Sequence, residues 1–171
     1  VFASFNRPSF RPGLLFGATV YAVRNFSVKD RAMKLNILVV GATGLLGQGA
    51  LNTALQDAHV GRLGLLLRRP LTGLPAYVEQ FSAGAFTPEN LNGLDLSGFD
   101  ACWYCAGTLP VGQSEASYRH VTVDLTRNVA EAFFGANPHG RFLYISGQGA
   151  NPASWLMPLR VKGEIEQVLQ S

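Results

Sequence analysis

The stretch Gly41-Ala42-Thr43-Gly44-Leu45-Leu46-Gly47 constrains this chain more than any other. It follows Leu35–Val40, a run of aliphatic and β-branched residues with the profile of a strand buried on both faces. It opens a helical pattern that runs from Leu45 to about Asp57. Gly41 permits a tight exit from the strand, Gly44 lets the backbone approach a pyrophosphate with no Cβ in the way, and Gly47 lets the helix pack closely on the sheet. The helix N-terminus then presents free N–H groups and the positive end of its dipole to phosphate oxygens. The spacing is Gly-x-x-Gly-x-x-Gly, not the Gly-x-Gly-x-x-Gly of the dehydrogenase fingerprint, so a tight β–α turn without a ligand is the plain alternative.

The rest of the chain repeats the alternation. Strands are expected at Leu63–Leu67, more weakly at Tyr77–Phe81, and again at Ala101–Cys105 and Arg141–Ser146. Glu115 to Phe134 reads as one long helix bounded by Gly135, Asn137 and Pro138, and Leu159–Leu169 as a final helix after Pro158. Thr87–Gly98, rich in Pro, Asn and Gly, reads as a connection. Strands alternating with helices in units of about thirty residues predict an α/β fold with a parallel sheet and right-handed crossovers.

Composition narrows the class. A chain of 171 residues has room for one ordinary domain, and 47% hydrophobic with 15% charged residues excludes a disordered chain. No apolar run reaches the roughly eighteen residues of a membrane span; Leu14–Val23 is interrupted by Gly17 and Thr19. Two cysteines, Cys102 and Cys105, are too few for a secreted disulfide scaffold, so a cytoplasmic location is expected. Residues 1–36 carry a net charge of +5 and residues 37–171 a net charge of −2. The pI of 9.1 therefore belongs to the leader. Neither nucleic acid nor membrane is expected as a partner.

That leader, Val1 to about Ala32, is rich in Phe and Arg and poor in acids, with no sustained period. It reads as a mitochondrial targeting segment, as a signal-like stretch lacking a clear cleavage site, or as an unstructured stretch upstream of a start at Met33. The expected domain is 33–171, and a chain opening on Val is expected to be a fragment.

The end of the second strand selects among nucleotides. Dinucleotide-binding domains that take NAD place an Asp or Glu there to accept from the ribose hydroxyls. This chain has Leu-Leu-Leu-Arg68-Arg69-Pro70, without an acid. A carboxylate repels a 2′-phosphate and a guanidinium binds it through charge-assisted hydrogen bonds, so NADP(H) is expected over NAD(H). Two solvated arginines at a strand exit are the alternative.

Six segments occur in order: Gly-Ala-Thr-Gly-Leu-Leu-Gly, Leu-Arg-Arg-Pro, Phe-Asp-Ala-Cys-Trp-Tyr-Cys-Ala-Gly-Thr, Tyr-Arg-His-Val-Thr-Val-Asp-Leu-Thr, Tyr-Ile-Ser-Gly-Gln-Gly-Ala and Arg-Val-Lys-Gly-Glu-Ile-Glu. Together they resemble the atypical short-chain dehydrogenase/reductase family, over about Leu35–Leu169. Within it they are most similar to the bacterial NAD-dependent epimerase/dehydratase-like proteins akin to the Tat-interacting oxidoreductase group. The resemblance implies a Rossmann-type doubly wound parallel sheet. It implies that Gly41, Thr43, Gly44, Leu45 and Leu46 wrap the pyrophosphate, with Gly47 behind them, and that Arg68 and Arg69 meet the adenosine phosphate. Ala106, Gly107 and Thr108 would lie under the ribose and nicotinamide. Ser146 matches the family's active-site serine region, and Lys162 the lysine of its Tyr-x-x-x-Lys motif, so both are expected as catalytic residues and Lys162 also on the cofactor ribose. A homodimer through the helices after the fourth and fifth strands is a further implication.

The pattern departs from the family in two places. Pro158 stands where the motif has its tyrosine, and the nearby Trp155 has no proton to give a carbonyl oxygen, so the usual general acid is missing. The chain also ends after the fifth strand and one helix, short of the family's further strands and substrate lobe, and is expected to be truncated. Three functions follow as expectations: an NADP(H)-dependent oxidoreductase on a small carbonyl or sugar-derived substrate, an NADPH-binding sensor or scaffold without turnover, and an epimerase or dehydratase. Cys102 and Cys105 sit three apart on one predicted strand and so point to opposite faces, which speaks against a redox pair or a metal site. His59, His120 and His139 show no ligand spacing, and no metal is expected. Asp124 reads either as a tie to the active-site floor or as a solvated helix acid.

Overall fold

The computed structural model describes residues 18–23 and 34–171, and its central strand is Leu35–Val40 (β2). The side chains of β2 alternate between two cores: Ile37 and Val39 enter one layer, Leu38 and Val40 the other. Such a strand needs apolar residues at every position, which the aliphatic run provides. Strands β3 (Val60–Leu67) and β5 (Ala101–Tyr104) flank β2 in parallel. Outside them lie β4 (Val78–Ser82), parallel to β3, and β6 (Arg141–Gly147), parallel to β5. A further strand, β1 (Ala18–Val23), pairs antiparallel with β6 and completes the order β1-β6-β5-β2-β3-β4. The five parallel strands form the doubly wound, Rossmann-type α/β sheet.

One face of the sheet is covered by helix α1 (Leu45–Gln56), whose Leu51 and Ala54 pack on Ile37, Val39, Leu63 and Leu65. The other face carries α3 (Glu115–Arg119), a π-helical turn at His120–Asp124, α4 (Leu125–Ala136) and α5 (Met157–Gln170). Tyr118, Val129, Phe133, Val161 and Ile165 close over Tyr104, Phe142 and Tyr144 there. Tyr104 and Phe142 stack at 5.6 Å between ring centroids. On the same face Gly64 leaves the space that Phe99 fills: a Cβ there would stand 2.5 Å from the Phe99 ring.

Three features differ from the sequence expectation. The Thr87–Gly98 connection contains a short helix, α2 (Pro88–Asn92), capped by the Thr87 side chain, which accepts from Asn90 N–H. The long helix expected over Glu115–Phe134 is interrupted by the π-helical turn, which no residue type announces. The stretch expected as an unstructured or targeting leader includes β1. Its Ala-Thr-Val-Tyr-Ala-Val sequence has the β-branched and aromatic content that strands favour, and β6 offers an open edge. The remainder of that leader, with Met33, lies outside the described residues.

Asn137, expected as a helix boundary, is a buried brace. Its amide donates to Leu96 O (2.7 Å) and Phe133 O (3.1 Å), and its carbonyl accepts from Phe99 N–H (3.0 Å). Asn137→Ala is expected to leave those groups unpaired and to destabilise the fold by about 2–3 kcal/mol. Urea denaturation of the full chain measures this, with the loss appearing in the transition midpoint.

Candidate functional site

The chain builds outward from β2 through β3 and β4, then returns to the other side of β2 for β5 and β6. Two loops therefore part above the carboxyl ends of β2 and β5, the crevice where open α/β sheets bind ligands. The Gly41–Gly47 turn leaves β2, and the segment from Cys105 to Ser114 leaves β5. They touch at their bases: a Cβ on Gly41, whose φ is +82°, would stand 2.5 Å from the backbone nitrogen of Ala106. At Gly47 a Cβ would stand 1.9 Å from the Gly41 carbonyl oxygen. Both glycines are therefore demanded by the packing of the chain on itself.

Gly44 is different. Its φ of −80° and ψ of 164° suit any residue, and a Cβ there would meet only the Gly41 carbonyl oxygen, at 3.4 Å. What its bareness leaves open is the approach to the first turn of α1. Gly44 caps that helix without a side-chain acceptor, and no acid stands in the first turn. The N–H groups of Leu45, Leu46 and Gly47 find no acceptor among the described residues. Free donors, the positive end of a helix dipole and a bare α-carbon fit a diphosphate. Thr43, Leu45 and Leu46 are exposed around them, and Gln48 steadies the turn by donating to the Thr43 carbonyl at 3.1 Å.

Arg68 and Arg69 directly follow β3, exposed, and neither makes an ion pair or hydrogen bond among the described residues. On the β5 side, Gly107 faces open space. Thr108 is tied back: its hydroxyl accepts from the Gln113 amide at 2.6 Å, and that amide also donates to Leu109 O at 2.7 Å.

At the end of β6 the two residues expected to act together are separated by their environments. Ser146 is 2% exposed, and its hydroxyl donates to Glu166 inside the α5 layer. Lys162 lies along Gly147, where a Cβ would stand 3.1 Å from its Cδ and 3.6 Å from its Nζ. Burial pushes the Lys162 ammonium below its usual range, and the Glu166 carboxylate opposes that shift. Glu166, buried on α5, is the member of the site that the sequence reading missed. The available signal was its place four residues after Lys162, next to Ile165 of the buried stripe. Pro158 stands in the first turn of α5, a position that suits its fixed φ, and Trp155 is 85% exposed.

The remaining candidates resolve as local structure. Cys102 is buried in the core, where desolvation and neighbouring Cys105 push its thiol up, and burial does the same to Cys105. Asp124 pairs with Arg127 (2.9 Å), His120 (3.3 Å) and Arg119 (3.8 Å), as a solvated helix acid does. His59 sits 2.8 Å from Asp57 on the surface. Among the described residues, the exposed large apolar side chains other than Tyr77 all lie at the carboxyl end, in the first turn of α1 (Leu45, Leu46) and on loops (Leu109, Val111, Trp155 and Leu156).

No protein-family model matches the chain. Over 140 residues it is 26% identical to the leucinostatins biosynthesis cluster protein T of Purpureocillium lilacinum, which covers 79% of this chain and 51% of that protein. Among solved structures, the UDP-N-acetylglucosamine 4-epimerase of Bacillus cereus aligns with a TM-score of 0.62 at 24% identity, over 80% of this chain and 54% of that one. The ADP-L-glycero-D-manno-heptose-6-epimerase of Helicobacter pylori gives 0.63 at 14% identity, over 84% and 52%. A short chain dehydrogenase family protein of Francisella tularensis gives 0.57 at 17%, over 79% and 61%. These likenesses show the Rossmann-type fold. The chain spans about half the length of the curated relative it matches.

The glycines separate by experiment. Gly47→Ala is expected to lower stability by about 3 kcal/mol or more, because its Cβ overlaps backbone that cannot retreat. Gly44→Ala is expected to stay within about 1 kcal/mol of the parent. Thermal unfolding of the two variants gives the comparison.

Proposed function

We propose that this chain binds NADP(H) in the crevice between the β2 and β5 loops and acts as an oxidoreductase on a small carbonyl or sugar-derived substrate. The observation that carries the binding is Gly44, a glycine that the packing does not require at the one place where a side chain would block the free N–H groups of α1. Gly41, Thr43, Gly44, Leu45 and Leu46 hold the diphosphate, with Gly47 setting the helix behind them. Arg68 and Arg69, unpaired among the described residues and with no acid beside them in sequence, take the 2′-phosphate. Ala106, Gly107 and Thr108 run along the ribose and nicotinamide side, and Lys162 faces the ribose hydroxyls from α5, beside the end of β6. Bound there, the reduced nicotinamide supplies a hydride.

The chain's own part in the chemistry is to hold and orient. With Pro158 in place of a tyrosine, the group at this edge able to carry a proton is the half-buried Lys162, on Nζ. Ser146, whose hydroxyl is already given to Glu166, acts through that carboxylate and not on a substrate carbonyl. These two facts favour a second reading, an NADPH-binding module without turnover. Epimerase or dehydratase chemistry is supported only by the names of two similar structures.

Fluorescence titration of the full chain with NADPH and NADH tests the binding. The expected result is tighter binding of NADPH, with Arg68→Asp/Arg69→Ala weakening NADPH by tenfold or more, about 1.4 kcal/mol, and leaving NADH nearly unchanged. Equal affinities in parent and variant overturn the NADP(H) assignment. Loss of reduced-nicotinamide absorbance with a panel of carbonyl compounds separates the oxidoreductase from the module without turnover.

A further inference from the structure

Two neighbouring residues of β6 receive two residues one helical turn apart on α5. Gly147 takes Lys162, whose Cδ and Nζ would lie 3.1 and 3.6 Å from a Cβ at that glycine, and Ser146 takes Glu166 through its hydroxyl. A carboxylate at 9% exposure is uncommon unless something holds it there. Here the Ser146 hydroxyl, itself 2% exposed, is that partner. The hydrogen bond fixes the rotational setting of α5 on β6, and residues four apart share a helix face. Lys162 is therefore laid along Gly147 with its ammonium at the carboxyl edge of the sheet.

We propose that Glu166 is the positioning residue for Lys162: held by Ser146, it sets α5 so that Lys162 lies along Gly147, and it places a carboxylate on the lysine's own face of the helix. The inference deepens the proposed nucleotide site, since it rests on Lys162 belonging to it, but the lysine's own titration reads it with no nucleotide present. The groups around the pair are accounted for. Tyr144 of β6 and Tyr118 of α3 have hydroxyls pushed up by burial and stay neutral through the working range. The Arg119–Glu164 and Arg160–Glu115 pairs join α3 to α5 and satisfy one another. Glu166 is the carboxylate that bears on Lys162, against the loss of solvation that lowers it.

The chain has three lysines, Lys29, Lys34 and Lys162, so reductive methylation with 13C-formaldehyde gives a short spectrum in which Lys162→Arg assigns the signal. The full chain is titrated without nucleotide. Glu166→Gln keeps an acceptor for Ser146 and removes the charge, so the Lys162 midpoint is expected to fall by about one unit, a tenfold change in acid constant. Ser146→Ala keeps the charge and removes the anchor, and Gly147→Ala pushes the side chain off the strand. Both release Lys162 toward water, and its midpoint is expected to rise. A purely structural role would lower thermal stability in all three variants without these opposite shifts. An unchanged or raised midpoint in Glu166→Gln overturns the proposal, as does an unmoved midpoint in Ser146→Ala; if Glu166→Gln does not fold, Ser146→Ala and Gly147→Ala decide it. Shifts as expected in a chain that binds no NADPH would uphold this inference while removing the proposed function.

Discussion

The contact on which the carboxyl end of the sheet depends is that of Gly47 against the Gly41 carbonyl, where a Cβ would come within 1.9 Å. It lets α1 start immediately above the end of β2, aimed into the space between β2 and β5. The same turn brings Gly41 against Ala106, so the loop leaving β5 is placed by backbone contact, not by long side chains. Backbone-to-backbone packing of this kind is stiff, because no rotamer can yield. The free N–H groups of α1 are thereby held in one direction before any ligand arrives, which lowers the ordering cost of binding an anion there.

Electrostatics at that edge runs one way. The first turn of α1 carries no acid, Arg68 and Arg69 stand exposed beyond β3, and the Lys162 ammonium lies at the end of β6. The acids of this region are engaged elsewhere. Glu166 is taken by Ser146, Glu164 by Arg119, and Glu115 by Arg160 at 2.8 Å. On the proposed reading, a dinucleotide with a third phosphate would meet donors and cations along its length, while these carboxylates are already engaged by other side chains.

How much of this was legible in the sequence depends on what each feature is made of. β2 and β3 announce themselves because strands buried on both faces need unbroken aliphatic runs, and the glycine turn does so because its three positions are sterically distinct. The residues of the β5 loop entered as what the family resemblance implies. What escaped is tertiary. The π-helical turn at His120–Asp124 has no compositional mark. β1 depends on the free edge of β6, which no local pattern reveals. Ser146 read as an active-site hydroxyl because it matches the active-site serine region of the family the chain resembles; what the sequence did not show is that the alternation of β6 puts Phe142, Tyr144 and Ser146 together on the helix-covered face. Glu166 was read only as part of a motif, although it is the acceptor that decides where the Ser146 hydroxyl points.

The central claim is that the turn between β2 and α1 holds a dinucleotide diphosphate. Backbone amide chemical shifts of the 15N-labelled full chain, followed while NADPH is added, test it most directly. The account predicts that the largest changes fall on the amides of Gly44, Leu45, Leu46 and Gly47, with a second group at Ala106 and Gly107. Saturable shifts confined to another part of the surface, with those amides unmoved, would contradict it.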